Sequence, residues 1–78
     1  MPGIGLMKKR LETEKQAVTL AVSGIIKKYN VNQSDIKTLE TQYDIDAGDW
    51  YIALGFAEKR VVVRMDSVHA IILEINEV

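Results

Sequence analysis

Seventy-eight residues make one domain, and a chain that short buries only about 60–65% of the surface it exposes when unfolded. With no cysteine it has neither a disulfide framework nor a thiolate metal site, so apolar packing or self-association must stabilise the fold. Ten basic and eleven acidic side chains, interspersed along the chain, give a net charge of −1 and no strong field for nucleic acid.

Residues 1–5 hold two glycines and the only proline, which describes a flexible lead-in. A helix is predicted over 6–30. At about 100° per residue, Met7, Leu11, Val18, Val22, Ile25 and Tyr29 fall in a roughly 60° sector, with Lys9, Gln16 and Lys27 opposite. That stripe is expected to lie on a sheet. Ala17, Leu20 and Gly24 fall on a different side of the wheel, and Gly24 costs a helix about 1 kcal/mol against alanine, so these three form a candidate secondary interface. The apolar run Ala17 to Ile26 is far shorter than the roughly 20 residues that span a bilayer, and flanking Glu12, Glu14, Lys27 and Lys28 make it a poor signal peptide. No membrane span and a cytoplasmic location are expected.

Lys27 and Lys28 suit the negative end of the helix dipole, and Asn30 is a left-handed cap with Val31 folding back. Asn32 to Asp35 is a polar connector. Ile36 to Asp46 carries two patterns: alternation of Lys37, Leu39, Thr41, Tyr43 and Ile45 with polar residues, and a helical spacing of Ile36, Leu39 and Tyr43. The threonines, Tyr43 and the following turn favour a strand.

Asp46-Ala47-Gly48-Asp49 is the turn that precedes a strand with Trp50, Ile52, Leu54 and Phe56 on one face and Tyr51, Ala53 and Gly55 on the other. A third strand, Arg60 to Met65, follows Ala57-Glu58-Lys59. A fourth, Val68 to Val78, follows Asp66-Ser67. The reading is one α+β domain over 1–78: a long N-terminal amphipathic helix on a four-stranded antiparallel β-meander spanning 36–78, in the order α-β-β-β-β. The predicted core is Leu11, Val18, Val22, Ile25, Tyr29, Leu39, Ile45, Trp50, Ile52, Leu54, Val61, Val63, Ile71, Leu73 and Ile75.

Parts for catalysis are scarce. His69 is the single histidine, and a lone histidine beside a turn reads as structural. Asp44, Asp46 and Asp49 resemble the opening of a calcium loop only superficially, because Gly55 stands where a bidentate glutamate is needed. No catalytic residue, metal or cofactor is expected. Tyr51, Arg60 and Arg64, with the Lys8-Lys9-Arg10 cluster, give an alternative reading as a nucleic-acid patch. The stronger feature is the sheet face turned away from the helix. Tyr51, Val62, Val68, Ala70 and Ile72 make it too apolar for a face that meets only water, and Arg60 and Arg64 belong to its rim. A protein partner is expected there, most simply a second copy in an isologous dimer.

The succession I-K-T-L-E-T-Q-Y-D-I-D-A-G-D-W-Y-I-A-L-G-F, then R-V-V-V-R-M-D-S, resembles a PepSY-type module. That family has a helix followed by a small antiparallel sheet, an acidic-glycine hairpin before a tryptophan strand, and an aspartate after the third strand. Asp46, Gly48, Trp50 and Asp66 hold the matching positions over about 60 residues. Ser67-Val68-His69 departs from the threonine-glycine pair that usually opens the family's closing strand. The resemblance implies a non-enzymatic binding or inhibitory module, in line with a small interaction or accessory protein.

Overall fold

A capping box decides where the helix begins. In the computed structural model, which describes residues 9–78, Thr13 is extended and its Oγ1 accepts from the Gln16 N–H at 3.2 Å. The Gln16 side chain in turn accepts from the Thr13 N–H at 3.1 Å, so two otherwise orphaned donors are satisfied. Helix α1 therefore spans Glu14–Tyr29, not 6–30. The segment before it is held differently, with the Arg10 and Leu11 N–H groups both donating to the Ser67 carbonyl at 2.9 Å. The lead-in 1–5, Leu6, Met7 and Lys8 lie outside the described residues. At the other end, Asn30 is left-handed (φ 57°, ψ 49°) and its N–H reaches the Ile26 carbonyl, as the cap residue predicts.

After a single 3-10 turn, Gln33–Asp35, the chain forms four strands: β1 (Lys37–Asp44), β2 (Asp49–Phe56), β3 (Lys59–Asp66) and β4 (Ile71–Glu77). They pair antiparallel in chain order, and α1 lies on one face only, which is the predicted α+β meander. The helix face against the sheet is made of small residues. Ala17 and Ala21 are fully buried with Ile25, whereas Val18, Val22 and Tyr29 are half-buried at its flanks. The buried stripe shares only Ile25 with the predicted one, because the alanines and Gly24 let the helix approach the sheet closely and leave the bulkier Val18, Val22 and Tyr29 at its flanks; Leu11 is buried, but on non-helical chain. Gly24 permits the close approach, since a Cβ built on it would overlap the Ile72 Cδ1 methyl of β4.

Ile52, Leu54, Val61, Val63 and Met65 are fully buried, each contributing about 1.5–3 kcal/mol, and Trp50 and Phe56 complete the inner face of β2. The two edge strands break the alternation. In β1 the register shifts between Thr38 and Glu40, which makes Leu39 an extra residue; in β4 it shifts at Leu73, between Ile72 (opposite Met65) and Glu74 (opposite Arg64). Leu39 and Leu73 are consequently 52% and 44% exposed, and Ile72 faces the helix. Ile71, at the mouth of β4, and Ile45, at the tip of the first hairpin, are exposed as well. These four leave the predicted core; Ala17, Ala21, Phe56 and Met65 join it.

Two hairpin loops share one construction. The Asp44 carbonyl accepts from the Gly48 N–H at 2.8 Å, and the Asp66 carbonyl from the Ala70 N–H at 2.9 Å. Each aspartate side chain also accepts backbone N–H groups inside its own loop: Asp46 and Ala47 in the first, Val68 in the second. Gly48 (φ 73°) and Ala70 (φ 55°) occupy the left-handed closing position. The second loop takes four residues, so β4 starts at Ile71 and not at Val68. Between β2 and β3, the two-residue turn puts Ala57 (φ 48°) and Glu58 (φ 61°) in left-handed backbone, a conformation that favours asparagine and glycine.

Gly24→Leu is expected to lower the unfolding free energy by about 2–3 kcal/mol, because the branched side chain must push α1 off β4. Gly24→Ala together with Ile72→Val, which deletes the obstructing methyl, is expected to be more stable than Gly24→Ala alone in the same urea titration. Replacing the strained turn by Ala57→Asn and Glu58→Gly should raise stability by about 1–2 kcal/mol. Ala70→Gly should give less, since the Ala70 methyl packs against the core.

Candidate functional site

Strand pairing fixes which side chains share the uncovered face. Because Trp50, Ile52, Leu54 and Phe56 point to the helix, their neighbours Asp49, Tyr51, Ala53 and Gly55 point away, and the register extends each into a row across the sheet. One end row is Lys37, Gly55 and Arg60. Next come Glu40, Ala53, Val62 and Asn76, then Gln42, Tyr51, Arg64 and Glu74. The opposite end row is Asp44, Asp49, Asp66 and Ile71. Cations therefore stand at one end of the strands and aspartates at the other.

The centre of the face is apolar and concave. Tyr51, Ala53 and Val62 are half-buried and, with Glu40 and Gln42, line a shallow hollow of about 250 Å³. Leu39 extends the apolar surface, because its side chain lies over Gly55 within 3.3–3.6 Å of where a Cβ would stand. Arg64 borders the hollow and donates from Nε to Asp49 Oδ2 at 2.9 Å. Asp49, with its side chain only 7% exposed, holds the guanidinium further above its ordinary range, aided by Tyr51 and Glu74.

Of the predicted interface residues, Tyr51, Val62, Arg60 and Arg64 share this face. Val68, Ala70 and Ile72 do not. Val68 and Ala70 belong to the loop that precedes β4, with Ala70 against the core, and the bulge at Leu73 turns Ile72 to the helix. The proposed secondary interface is not a free surface either: Ala17 is fully buried, Gly24 abuts Ile72, and Leu20 packs half-buried against the core. Sequence reasoning missed Leu39 and Leu73, which took core positions by simple alternation.

The basic cluster is separated from Tyr51. The Lys9 ammonium stands 4.2 Å from the centroid of Tyr43, whose ring packs on Trp50 on the helix side of the sheet. Tyr43 is pulled below the ordinary phenol range by its hydrogen bond with Ser67 and by Lys9. Arg64 is committed to Asp49, so Tyr51, Arg60, Arg64 and the Lys9-Arg10 pair do not form one phosphate-binding surface.

No family model, curated protein or solved structure matches this chain.

Titratable groups that do meet are explained by the fold. His69 Nδ1 lies 2.6 Å from Asp66 Oδ2 on an exposed loop, while the neighbouring Ser67 hydroxyl donates to the Gly48 carbonyl at 2.6 Å. Among the described residues no group of three or more histidine, aspartate or glutamate side chains is arranged to hold a metal ion. The Asp44 carboxylate caps its own turn. No helix among the described residues is long and apolar enough to cross a membrane.

The His69 contact and the Val68 N–H hold the Asp66 carboxyl below the usual carboxylate range. A group with a depressed folded pKa stabilises the fold above its unfolded value and loses that contribution as pH falls through the folded one. Asp66→Asn should therefore flatten the pH dependence of the melting temperature below about pH 4, with little change in slope above about pH 5.

Proposed function

We propose that this chain is a small non-enzymatic interaction module, an accessory or inhibitor protein whose docking surface is the uncovered face of its sheet. The observation that carries this reading is the apolar centre of that face. Tyr51, Ala53 and Val62 form a concave patch with Leu39 beside it, and Glu40, Gln42, Arg60, Arg64, Glu74 and Asn76 form a polar rim. An antiparallel sheet covered on one side ordinarily presents polar residues on the other, and an apolar centre inside a charged rim is the composition of protein interfaces. The likeness to PepSY-type modules supports the same direction, because that family serves binding or inhibition.

Val62 is the residue to change. It sits in the middle of β3, between Ala53 and Asn76, and Val62→Glu places a charge at the centre of the patch without touching the core. Light scattering across about 10 µM to 1 mM, and capture of proteins from the native source on immobilised chain, should both show association for the parent and its loss for Val62→Glu. Ile26→Glu, on the outer flank of α1, is the control and should leave both unchanged. If Val62→Glu, folded, alters neither measurement, the face is not a docking surface.

A further inference from the structure

We infer that the occupant of this face is a second copy of the chain, docked by a twofold axis that runs across the strands. The inference rests on the outer face being the docking surface and adds its partner and orientation. Its basis is the charge order along the strands. Lys37 and Arg60 flank Gly55 at one end of the face, and Asp44 and Asp66 stand at the other. An axis across the strands turns one copy end for end over the other. Each strand then meets its own counterpart, and Lys37 and Arg60 lie over Asp44 and Asp66 of the second copy. An axis along the strands instead sets the cationic end over the cationic end and the acidic end over the acidic end, with Asp49 over Asp66 and Arg60 over Gly55. Asp35 and Glu58 border the cationic end but sit on the connections outside the face, where they do not reverse the choice.

Shape agrees with charge. The end-for-end arrangement exchanges the two central rows, so Tyr51 of each copy stands over Ala53 of the other, a ring over the floor of the hollow. Edge-to-edge pairing is the competing route to a dimer, and both edge strands are interrupted by bulges at Leu39 and Leu73, which disfavour a continuous added strand. Net charge near zero offers no overall repulsion to a second copy. Four strands about 4.8 Å apart and eight residues long give a face of roughly 500 Å², so two copies bury about 1,000 Å², the low end for a specific interface. The dimer is accordingly weak, with a Kd on the order of 10–100 µM.

Sedimentation equilibrium of the full chain tests both partner and orientation. The expected result is a dimer whose Kd rises about tenfold between 50 mM and 500 mM salt, since the four pairs stand at the rim of the face and each contributes little. Lys37→Gln with Arg60→Gln should raise the Kd about tenfold at low salt. Asp44→Asn should raise it by a smaller factor, because the asparagine oxygen keeps the turn while removing the charge. Far-ultraviolet circular dichroism confirms that each variant is folded. A dimer that tightens with salt, or is indifferent to these substitutions, overturns the orientation while leaving the docking face intact. A chain that stays monomeric to 1 mM (about 10 to 100 times the expected Kd) overturns the second copy as occupant. The docking face itself is then judged separately, by whether Val62→Glu abolishes capture of another protein.

Discussion

One helix can cover one face of one sheet, and this constraint shapes the rest of the molecule. Sixteen residues of α1 extend about 24 Å, close to the roughly 26 Å of an eight-residue strand, so α1 spans the sheet once, and it is the only α-helix among the described residues. Packing is made tight by the absence of side chains. Ala17, Ala21 and Gly24 bring the helix axis close, and the aliphatic bulk comes from Ile52, Leu54, Val61, Val63 and Met65. The opposite face has to stand in water or find a partner.

A second constraint closes the end of the sheet that α1 leaves open. Ser67 is fully buried and works through three atoms: its N–H and hydroxyl both donate to the Gly48 carbonyl, and its carbonyl accepts from Arg10 and Leu11. Trp50 completes the clasp by donating from Nε1 to the Leu11 carbonyl at 3.0 Å. These bonds join two hairpin loops and the chain before α1. Among the described residues no buried side-chain polar atom lacks a partner. The same bonds explain why residues 10–13 forgo helix: their backbone donors are better satisfied on Ser67 and in the Thr13–Gln16 box than by fraying turns of a longer α1.

Much of this was legible from residue pattern, and the failures have one physical origin. Alternation locates β2 and β3 to within a residue because both are central strands, paired on each side, where register cannot slip without exposing a whole face. It fails on β1 and β4, the edges, where one inserted residue costs a single pair of ladder bonds and inverts everything beyond it. Leu39, Ile72 and Leu73 were misplaced for that reason. A stripe of bulky residues misplaces the helix face, because Ala17, Ala21 and Gly24 are what allow the helix to lie close on the sheet, and the readable signature of its start is Thr13 and Gln16. The late start of β4 was also readable: Asp66 repeats the position of Asp44, five residues before a strand, with Ala70 in place of Gly48. The outer face was anticipated in kind, but three of its assumed members belong elsewhere.

The bulges tie the edges of the sheet to its uncovered face. An edge bulge interrupts the row of free backbone groups that another strand would pair with, so β1 and β4 are poor templates for edge-to-edge growth. The residue it inserts must still point somewhere. In β1 that residue is a leucine that falls over Gly55, on the side away from the helix, and in β4 it is a leucine that leaves the core. The irregularity that blunts the edges therefore adds apolar surface beside the hollow floored by Ala53. Association is steered away from open-ended pairing and toward a face, where a twofold arrangement closes on itself.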